Sequence, residues 1–411
     1  MPLRSRLVLT GRARARKAFA LGTPLLLSLL IVACGSGPDR SEGFAVRDSA
    51  GVMIAENAPG SLERAPPLLR GEPVLDIGLV EGDSAYQLFR VWGGRRLSDG
   101  SVAILNAGTQ EVRLFGPDGV HRATFGRQGD GPGEFREPFG LWILPGDSLV
   151  VFDQALQRIS VFTPAGELIR VAQTERRALN ANMLTVLDDG SFITFDEFLD
   201  IPDEGFAPIY MHLVRWSADG VFIDSLGPQI YAEMGTIGEA EARLVGGRTF
   251  SPRTSTAGND EAYWIGTGMD PDVTMYGPDG RLLKRVRWHS PDRAVRPEHV
   301  EAYRQDRLEG VDAARQAVVE QRLRSVPVMD VFPAYQWIFA TRDGNLWVCD
   351  YIRPGVDSAR WFVFDADGRL MGHLETSPRF FPFDGGSDWV LAVEPDEFDV
   401  EHVRLYQLSR D

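Results

Sequence analysis

Cysteine is scarce in this sequence of 411 residues. Only Cys34 and Cys349 occur, so the disulfide framework that stabilises many small secreted proteins is excluded. Histidine is scarce as well: six residues occur, and none of them forms an HxH or HExxH spacing. The sequence signatures of a zinc site are therefore absent, and we predict no cofactor from spacing.

Basic charge is low compared with acidic charge. The chain has 43 lysines and arginines and 58 acidic residues, a formal net charge of −15. The first 33 residues contain six of the basic residues and no acidic one, so the remaining chain carries a net charge of −21. A body with this charge repels phosphate backbones, and we predict that it does not bind nucleic acid.

No apolar run is long enough to predict a membrane-spanning helix. The longest one, residues 18–33, is short and follows a stretch with six basic residues, which is typical of a secretory signal. It ends in Ala33-Cys34-Gly35, which resembles the bacterial lipobox. The resemblance implies that Cys34 is acylated and becomes the first residue of the mature protein. An ordinary signal peptide or a single anchor helix stays open as an alternative.

The N-terminal segments follow from this resemblance. We expect residues 1–33 to be a lipoprotein signal peptide and residues 34–43 to be a flexible tether, because they are small, polar and contain proline. Lipid chains on Cys34 would anchor the protein to a membrane. Gly35, rather than an aspartate, follows the cysteine, and by resemblance to known sorting rules this favours the outer membrane over the inner one.

A hairpin unit recurs along the rest of the chain, with a Gly/Asp turn, a strand rich in β-branched and aromatic residues, a polar break, a second strand and another turn. Its clear copies span residues 99–119, 146–166, 189–220, 259–280 and 343–368. Apolar residues occupy both odd and even positions of the first strand, which predicts burial on both of its faces.

A sixth copy, residues 389–408, reaches the chain end without its closing turn. We expect residues 43–46 and 51–54 to complete its sheet, because joining the first and last strands removes exposed edges. The predicted fold is all-β: a six-bladed β-propeller over residues 44–411 whose N- and C-terminal strands share the closing blade.

Residues 297–324 interrupt this pattern. Pro297 stands at a plausible first helical position, and Val300, Tyr303 and Val311 recur near helical spacing. We predict a short helical insertion between two blades. It would either cover the side of the propeller or act as a lid over one mouth of the central channel.

The stretch 125–166 resembles an NHL repeat. It carries Gly131-Pro132-Gly133-Glu134-Phe135, then a strand ending in Asp153, then a strand that begins at Arg158. The whole layout resembles bacterial six-bladed β-propeller lipoproteins. In NHL-like blades this aspartate and arginine hold turns and neighbouring blades together, which implies a structural role for Asp153 and Arg158.

The predicted functional surface is the channel mouth formed by the segments that lead into the first strands. These segments combine arginine with aromatic residues, which can stack on ligands and pair with acids. The candidate ligand-binding residues are Arg90, Trp92, Arg136, Trp142, Tyr335 and Trp337.

Two functions are open at this point. The sequence favours a membrane-anchored binding or scaffold module for a protein, a peptide or a glycan over an enzyme. The alternative is a metal-dependent hydrolase, lactonase or lyase with its site at the channel mouth, since related propellers hold calcium or zinc there. A calcium ion therefore stays possible, and no catalytic residue is predicted.

Overall fold

A computed structural model describes residues 39–41, 43–68, 71–174, 181–198, 200–237, 244–290 and 292–409. The predicted signal peptide and the acylated Cys34 lie outside these ranges. The described chain is mostly β-strand, with two α-helices and one short 3-10 helix, Ser84–Tyr86. Within the predicted tether, Asp39–Ser41 form a strand.

The elements follow one another along the chain in this order. The first strands are β1 (Asp39–Ser41), β2 (Phe44–Ser49), β3 (Val52–Asn57), β4 (Leu75–Ile77), β5 (Val91–Arg96), β6 (Val102–Asn106), β7 (Glu111–Phe115) and β8 (His121–Phe125). Then come β9 (Pro138–Leu144), β10 (Ser148–Asp153), β11 (Arg158–Phe162), β12 (Leu168–Gln173), β13 (Asn182–Val186), β14 (Phe192–Phe198), β15 (Gly205–Trp216), β16 (Phe222–Ile237) and β17 (Leu244–Gly246). The last are β18 (Ser255–Gly258), β19 (Tyr263–Gly266), β20 (Asp272–Tyr276), β21 (Leu282–Arg287), α1 (Pro297–Leu308), α2 (Ala313–Ser325), β22 (Trp337–Ala340), β23 (Leu346–Cys349), β24 (Ala359–Phe364), β25 (Leu370–Thr376), β26 (Phe381–Gly385), β27 (Trp389–Pro395) and β28 (Glu401–Gln407).

The described strands form six sheets. Strands β5–β8, β9–β12 and β22–β25 each make a four-stranded sheet in chain order, and β13–β17 make a five-stranded one. Strands β26–β28 are joined by β4, and β18–β21 are joined by β1–β3. Within each run of consecutive strands, neighbours pair antiparallel, as hairpins connected by short turns require.

Turn chemistry explains why the hairpins form where the repeat predicted them. In the β5–β8 sheet, Gly100 and Gly119 have φ values of +86° and +76°, a left-handed conformation that glycine adopts without a Cβ clash. The carboxylate of Asp99 accepts a hydrogen bond of 2.8 Å from the backbone N–H of Ser101. Such aspartate–glycine turns fix both the direction and the register of the strands they connect.

The core is divided among the spaces between sheets. Six clusters of buried apolar side chains each join two neighbouring sheets. Leu105 of β6 and Leu149 of β10 share one cluster, for example, and Ile104 and Leu391 share another. Following the clusters from sheet to sheet returns to the first sheet after six steps, so the sheets form a closed series. All five residues of β6 are buried, as its apolar pattern predicted.

The sheet that contains the last strands is closed by an N-terminal strand other than the expected one. Strand β4 pairs antiparallel with β28, with Leu75 opposite Leu405 and Ile77 opposite Val403. Ile77 is buried in the cluster that this sheet shares with β5–β7. The N-terminal and C-terminal parts of the chain therefore share a sheet.

The assignment of residues 43–46 and 51–54 to that sheet was wrong. They lie in the hairpin β2–β3, and β3 runs parallel to β21, with Ala55 opposite Val286. Ala55 is fully buried. The hairpin thus covers the edge of a different sheet, where its apolar residues also become buried and the edge is protected from pairing with another chain.

Two features extend beyond the hairpin repeat. Both lie at the same end of the sheets, the end at which strand β13 begins. Strands β15 and β16 continue past β14 as a two-stranded projection, with Gly205 opposite Thr236. Helices α1 and α2 lie in the connection between β21 and β22, within the stretch predicted to be helical. Tyr303 of α1 contacts Phe250, with ring centroids 5.2 Å apart. Helix α1 therefore packs on the connection that precedes β18.

Candidate functional site

The first strand of each sheet lines a common axis. These strands are β5, β9, β13, β18, β22 and β26, and each of them contacts the next, with β26 contacting β5. A cavity of about 160 Å³ is lined by the last residues of all six strands. The six strands therefore run in the same direction along one channel. We call the end where they begin the mouth and the end where they finish the far end.

Four aromatic side chains lie at the mouth. They belong to the first residues of four consecutive first strands, and we call them the aromatic arc: Trp337, Phe381, Trp92 and Phe139. The rings of Trp92 and Phe139 are 4.7 Å apart, and those of Trp337 and Phe381 are 6.2 Å apart and edge-on. Trp92, Trp337 and Phe381 are 42%, 37% and 47% exposed. Large aromatic surface is thus exposed at the mouth. Exposed apolar patches and aromatic residues are typical of binding sites.

Two predicted arginines lie beside this arc. Arg90 is exposed, just before β5, and adopts a left-handed φ of +55°. Arg136 is exposed just before β9 and forms an ion pair with Asp130. Together with Trp92 and Trp337, four of the six candidate residues therefore lie at the same end of the channel.

The other two candidates lie elsewhere. Trp142 is half-buried near the end of β9 and lines the cavity at the far end. Tyr335 is buried, and its hydroxyl donates a 2.8 Å hydrogen bond to the carbonyl of Asp272. Its ring packs against Trp288, with centroids 5.5 Å apart. Tyr335 therefore fills the core between two sheets and lies out of reach of a ligand at the mouth.

Sequence reasoning missed Phe139 and Phe381. Each looks like an ordinary core residue at the start of a strand. The available signal was positional: both occupy the beginning of a first strand, as Trp92 and Trp337 do. Comparing equivalent positions across the repeats would have found them.

The far end carries charge instead of aromatic surface. Asp384, almost fully buried, accepts a 2.7 Å hydrogen bond from Nη2 of Arg342 and one of 2.8 Å from the backbone N–H of Arg96. Arg95 donates to the carbonyls of Gly94 and Phe383. We call Arg95, Arg342, Asp384 and Asp260 the charged cluster.

Burial governs the titration of this cluster. It lowers the pKa of Arg95 to about 10, with the nearby Asp384 opposing the shift and Arg342 adding to it. Burial also raises the pKa of Asp260, and the carboxylate of Asp188 raises it further. Removing charges from water is costly unless each has a close partner. The cluster therefore depends on the partners that surround each charge.

The loop that carries Arg136 is held by the two residues of the NHL-like stretch. Arg158 donates to the carbonyls of Asp130, Gly131 and Glu134 at 2.7–2.8 Å. The carboxylate of Asp153 accepts from the backbone N–H groups of residues 136 and 137. Both residues thus fix the loop that leads into β9, which is the structural role that the resemblance implied.

The described part of the chain contains no candidate group for metal binding or for thiol chemistry. No group of three or more histidine, cysteine, aspartate or glutamate side chains is placed there to hold a metal ion. Cys349 is fully buried, and burial raises the pKa of its thiol well above the usual range, so it stays protonated. Among the described helices, none has the length and apolarity needed to cross a membrane.

No protein-family model and no curated protein matches this sequence. Solved structures that resemble it include a member of the DUF4221 family from Bacteroides vulgatus, with 12% identity, a TM-score of 0.49, and coverage of 84% of this chain and 99% of that one. A Bacteroides fragilis protein named as exported has 10% identity, a TM-score of 0.47 and the same coverage. A gluconolactonase from Xanthomonas campestris has 16% identity, a TM-score of 0.39, and coverage of 84% and 98%. Likenesses this remote assign neither a ligand nor a reaction.

Proposed function

We propose that this chain is an exported lipoprotein, anchored through Cys34, whose six sheets form a six-bladed, NHL-like β-propeller that binds a protein, peptide or glycan at its mouth. The lipid would hold it in the cell envelope, with the outer membrane favoured. The observation that carries the binding role is the aromatic arc. Four large rings lie on consecutive first strands around one opening, and three of them, Trp92, Trp337 and Phe381, are 37–47% exposed.

The arrangement of the loops supports this role. At the far end the strands are joined by short turns, whereas the mouth carries the β15–β16 projection and helices α1 and α2. Binding residues in rigid folds concentrate on such variable connections because the scaffold positions them without depending on their sequence. The closed series of six core clusters supplies that rigid scaffold.

The binding role is tested by screening the purified protein against a peptide display library and a glycan array, and then measuring the selected ligands by calorimetry. Truncating a hot-spot aromatic costs about 2 kcal/mol of binding free energy, roughly thirtyfold in Kd. We expect that loss in Trp92→Ala and Phe381→Ala. Val221→Ala is the control, because Val221 is 53% exposed but lies in the turn between β15 and β16, at the far end.

Two results would contradict the proposal. Binding that survives both arc substitutions would place the ligand elsewhere, and calcium or zinc bound at near one ion per chain would favour the metal-dependent alternative. The anchor has a separate test, in which Cys34→Ser is expected to release the protein from the membrane fraction. Unchanged membrane retention would refute acylation as the anchor.

A further inference from the structure

A second cavity lies next to the connection that contains α1, and none of the residues of the aromatic arc lines it. Its volume is about 160 Å³. Three arginines line it, from three different places in the chain: Arg293 before α1, Arg353 after β23 and Arg360 in β24. We call this cavity the arginine pocket. Glu63 and Asp350 also line the pocket, so its arginines outnumber its acidic residues by three to two, in a chain with a formal net charge of −15.

Each guanidinium in the arginine pocket is held in place but keeps donors free. Nη1 of Arg293 donates to the carbonyls of Met269 and Phe332 at 2.8 and 3.1 Å. Nη2 of Arg353 donates to the carbonyl of Asp292 at 2.8 Å. A guanidinium has five N–H donors, so these bonds use only part of each fork. The described hydrogen bonds of Arg293 and Arg353 therefore leave further N–H donors of both side chains for a ligand.

Two of the three arginines also lack a carboxylate partner within 4 Å among the described ion pairs. Among the described ion pairs within 4 Å, neither Arg293 nor Arg353 occurs, while Arg360 pairs with Glu375 at 2.5 Å. Arg353 additionally lies over the ring of Phe332, 5.5 Å from its centroid. Guanidiniums that are fixed and not neutralised are prepared to bind an anion, because their orientation is already set before the ligand arrives.

One carboxyl group in the arginine pocket competes with such an anion. Asp350 accepts a 3.0 Å hydrogen bond from the backbone N–H of Tyr351. Burial raises its pKa, although Arg353 and Arg360 oppose the shift and Glu375 adds to it. The charged groups that line the pocket around Asp350 or interact with it are Glu63, Arg293, Arg353, Arg360 and Glu375.

A neighbouring cavity shares part of the lining of the arginine pocket. Its volume is about 210 Å³; it shares Asp350, Tyr351, Arg353 and Arg360 with the arginine pocket and adds Ser358 and Glu375. Arg353 and Arg360 therefore border both cavities.

We infer that the arginine pocket is a binding site for the oxyanion group of a small molecule, a carboxylate, phosphate or sulfate, held by Arg293, Arg353 and Arg360. Oxyanions match the planar fork of arginine and form paired, charge-assisted hydrogen bonds with it. Asp350 regulates the site: as a carboxylate it repels the bound anion, and once protonated it no longer does. Anion binding therefore strengthens as the pH falls.

The inference is tested by titrating the purified full-length protein with sulfate and with acetate at low ionic strength, using calorimetry. Sulfate keeps its charge across the pH range in which aspartate titrates, so a pH effect reports on the protein. We expect Arg353→Gln and Arg360→Gln each to weaken binding roughly tenfold, since each removes a charge-assisted contact. We expect Asp350→Asn to tighten binding at neutral pH and to weaken its pH dependence, since Glu63 and Glu375 are the carboxyl groups that remain around the site.

Arg281→Gln is the matched control, because Arg281 is exposed in the turn between β20 and β21 and should bind sulfate as the wild type does. Thermal unfolding of every variant separates loss of the site from loss of the fold, and Arg360→Gln serves if Arg353→Gln unfolds. The inference is overturned if neither anion binds the wild-type protein at millimolar concentration. Equal binding to the wild type and to both arginine variants would overturn it as well.

Discussion

The mouth and the far end of the channel are built on the same six strands yet carry opposite chemistry. At the mouth, the rings of Trp92, Phe381 and Trp337 are partly exposed. At the far end, Asp384 is almost fully buried and bound to Arg342. The mouth bears a projection and two helices, while the far end has short aspartate–glycine turns.

This difference separates the side chains that stabilise the fold from those that remain available to a ligand. Groups at the far end are paired or buried, so they stabilise the protein and leave little free for a ligand. Groups at the mouth are uncovered, so they contribute little to stability and remain available for binding. Stability and binding should therefore respond to substitutions at opposite ends.

The largest expected effect contrasts two tryptophans in the same sheet. Trp347, near the far end in β23, is fully buried, whereas Trp337 at the mouth is 37% exposed. Trp347→Ala should lower the free energy of unfolding by about 4 kcal/mol, because it leaves a cavity. Trp337→Ala should change it by less than about 1 kcal/mol. Urea unfolding measures the free energy of both variants. Similar losses for the two would show that the mouth and the far end do not differ in their contribution to stability.

The next effect tests the charged cluster. Asp384→Ala removes the hydrogen-bonded, buried partner of Arg342, so we expect a loss of about 3 kcal/mol in the free energy of unfolding. Asp219→Asn is the control, because this carboxylate is exposed and lies 3.9 Å from Arg170, and it should be nearly neutral. A neutral result for Asp384→Ala would show that the cluster does not stabilise the fold.

A smaller effect concerns Tyr335. Its hydroxyl donates one hydrogen bond, to the carbonyl of Asp272, from within the core. Tyr335→Phe should lower the free energy of unfolding by about 1 kcal/mol and leave ligand binding at the mouth unchanged. Calorimetry and urea unfolding on one preparation measure both. If Tyr335→Phe lost ligand binding but kept its stability, Tyr335 would belong to the ligand site after all.

The smallest effect is a pH dependence at the far end. Burial raises the pKa of Asp260 in the folded protein above its value in the unfolded chain. The folded state therefore binds more protons between these two values, and stability falls as the pH rises through that window. Asp260→Asn should flatten this part of the stability profile measured by thermal unfolding. An unchanged profile would show that Asp260 titrates alike in the folded and unfolded states.

The all-β class and the hairpins were predictable because their signals are local. Short apolar runs bounded by glycine-containing turns predict β6 and β7, or β10 and β11, without reference to the rest of the chain. The edge pairings were not predictable. Strand β4 has only three residues, too few for a pattern, and both it and β3 pair with strands more than 200 residues away.

The candidate site was only partly predictable, for a related reason. Tyr335 and Trp337 are two residues apart and look equivalent in sequence, yet one is buried and the other is partly exposed. Their exposure depends on which side chains of neighbouring sheets reach them, Trp288 in one case and Phe381 in the other. That information lies in the packing between sheets and not in the local pattern.

The pairing of β4 with β28 also has a consequence for how the molecule is made. The outermost strand of one sheet, residues 75–77, finds its partner only when residues 403–405 are available, so the closed series of sheets stays open until those residues have been synthesised. Such late, sequence-distant pairing slows folding. Until it forms, Val403 and Leu405 lack their covering strand, and this seam is where premature association with other chains would begin.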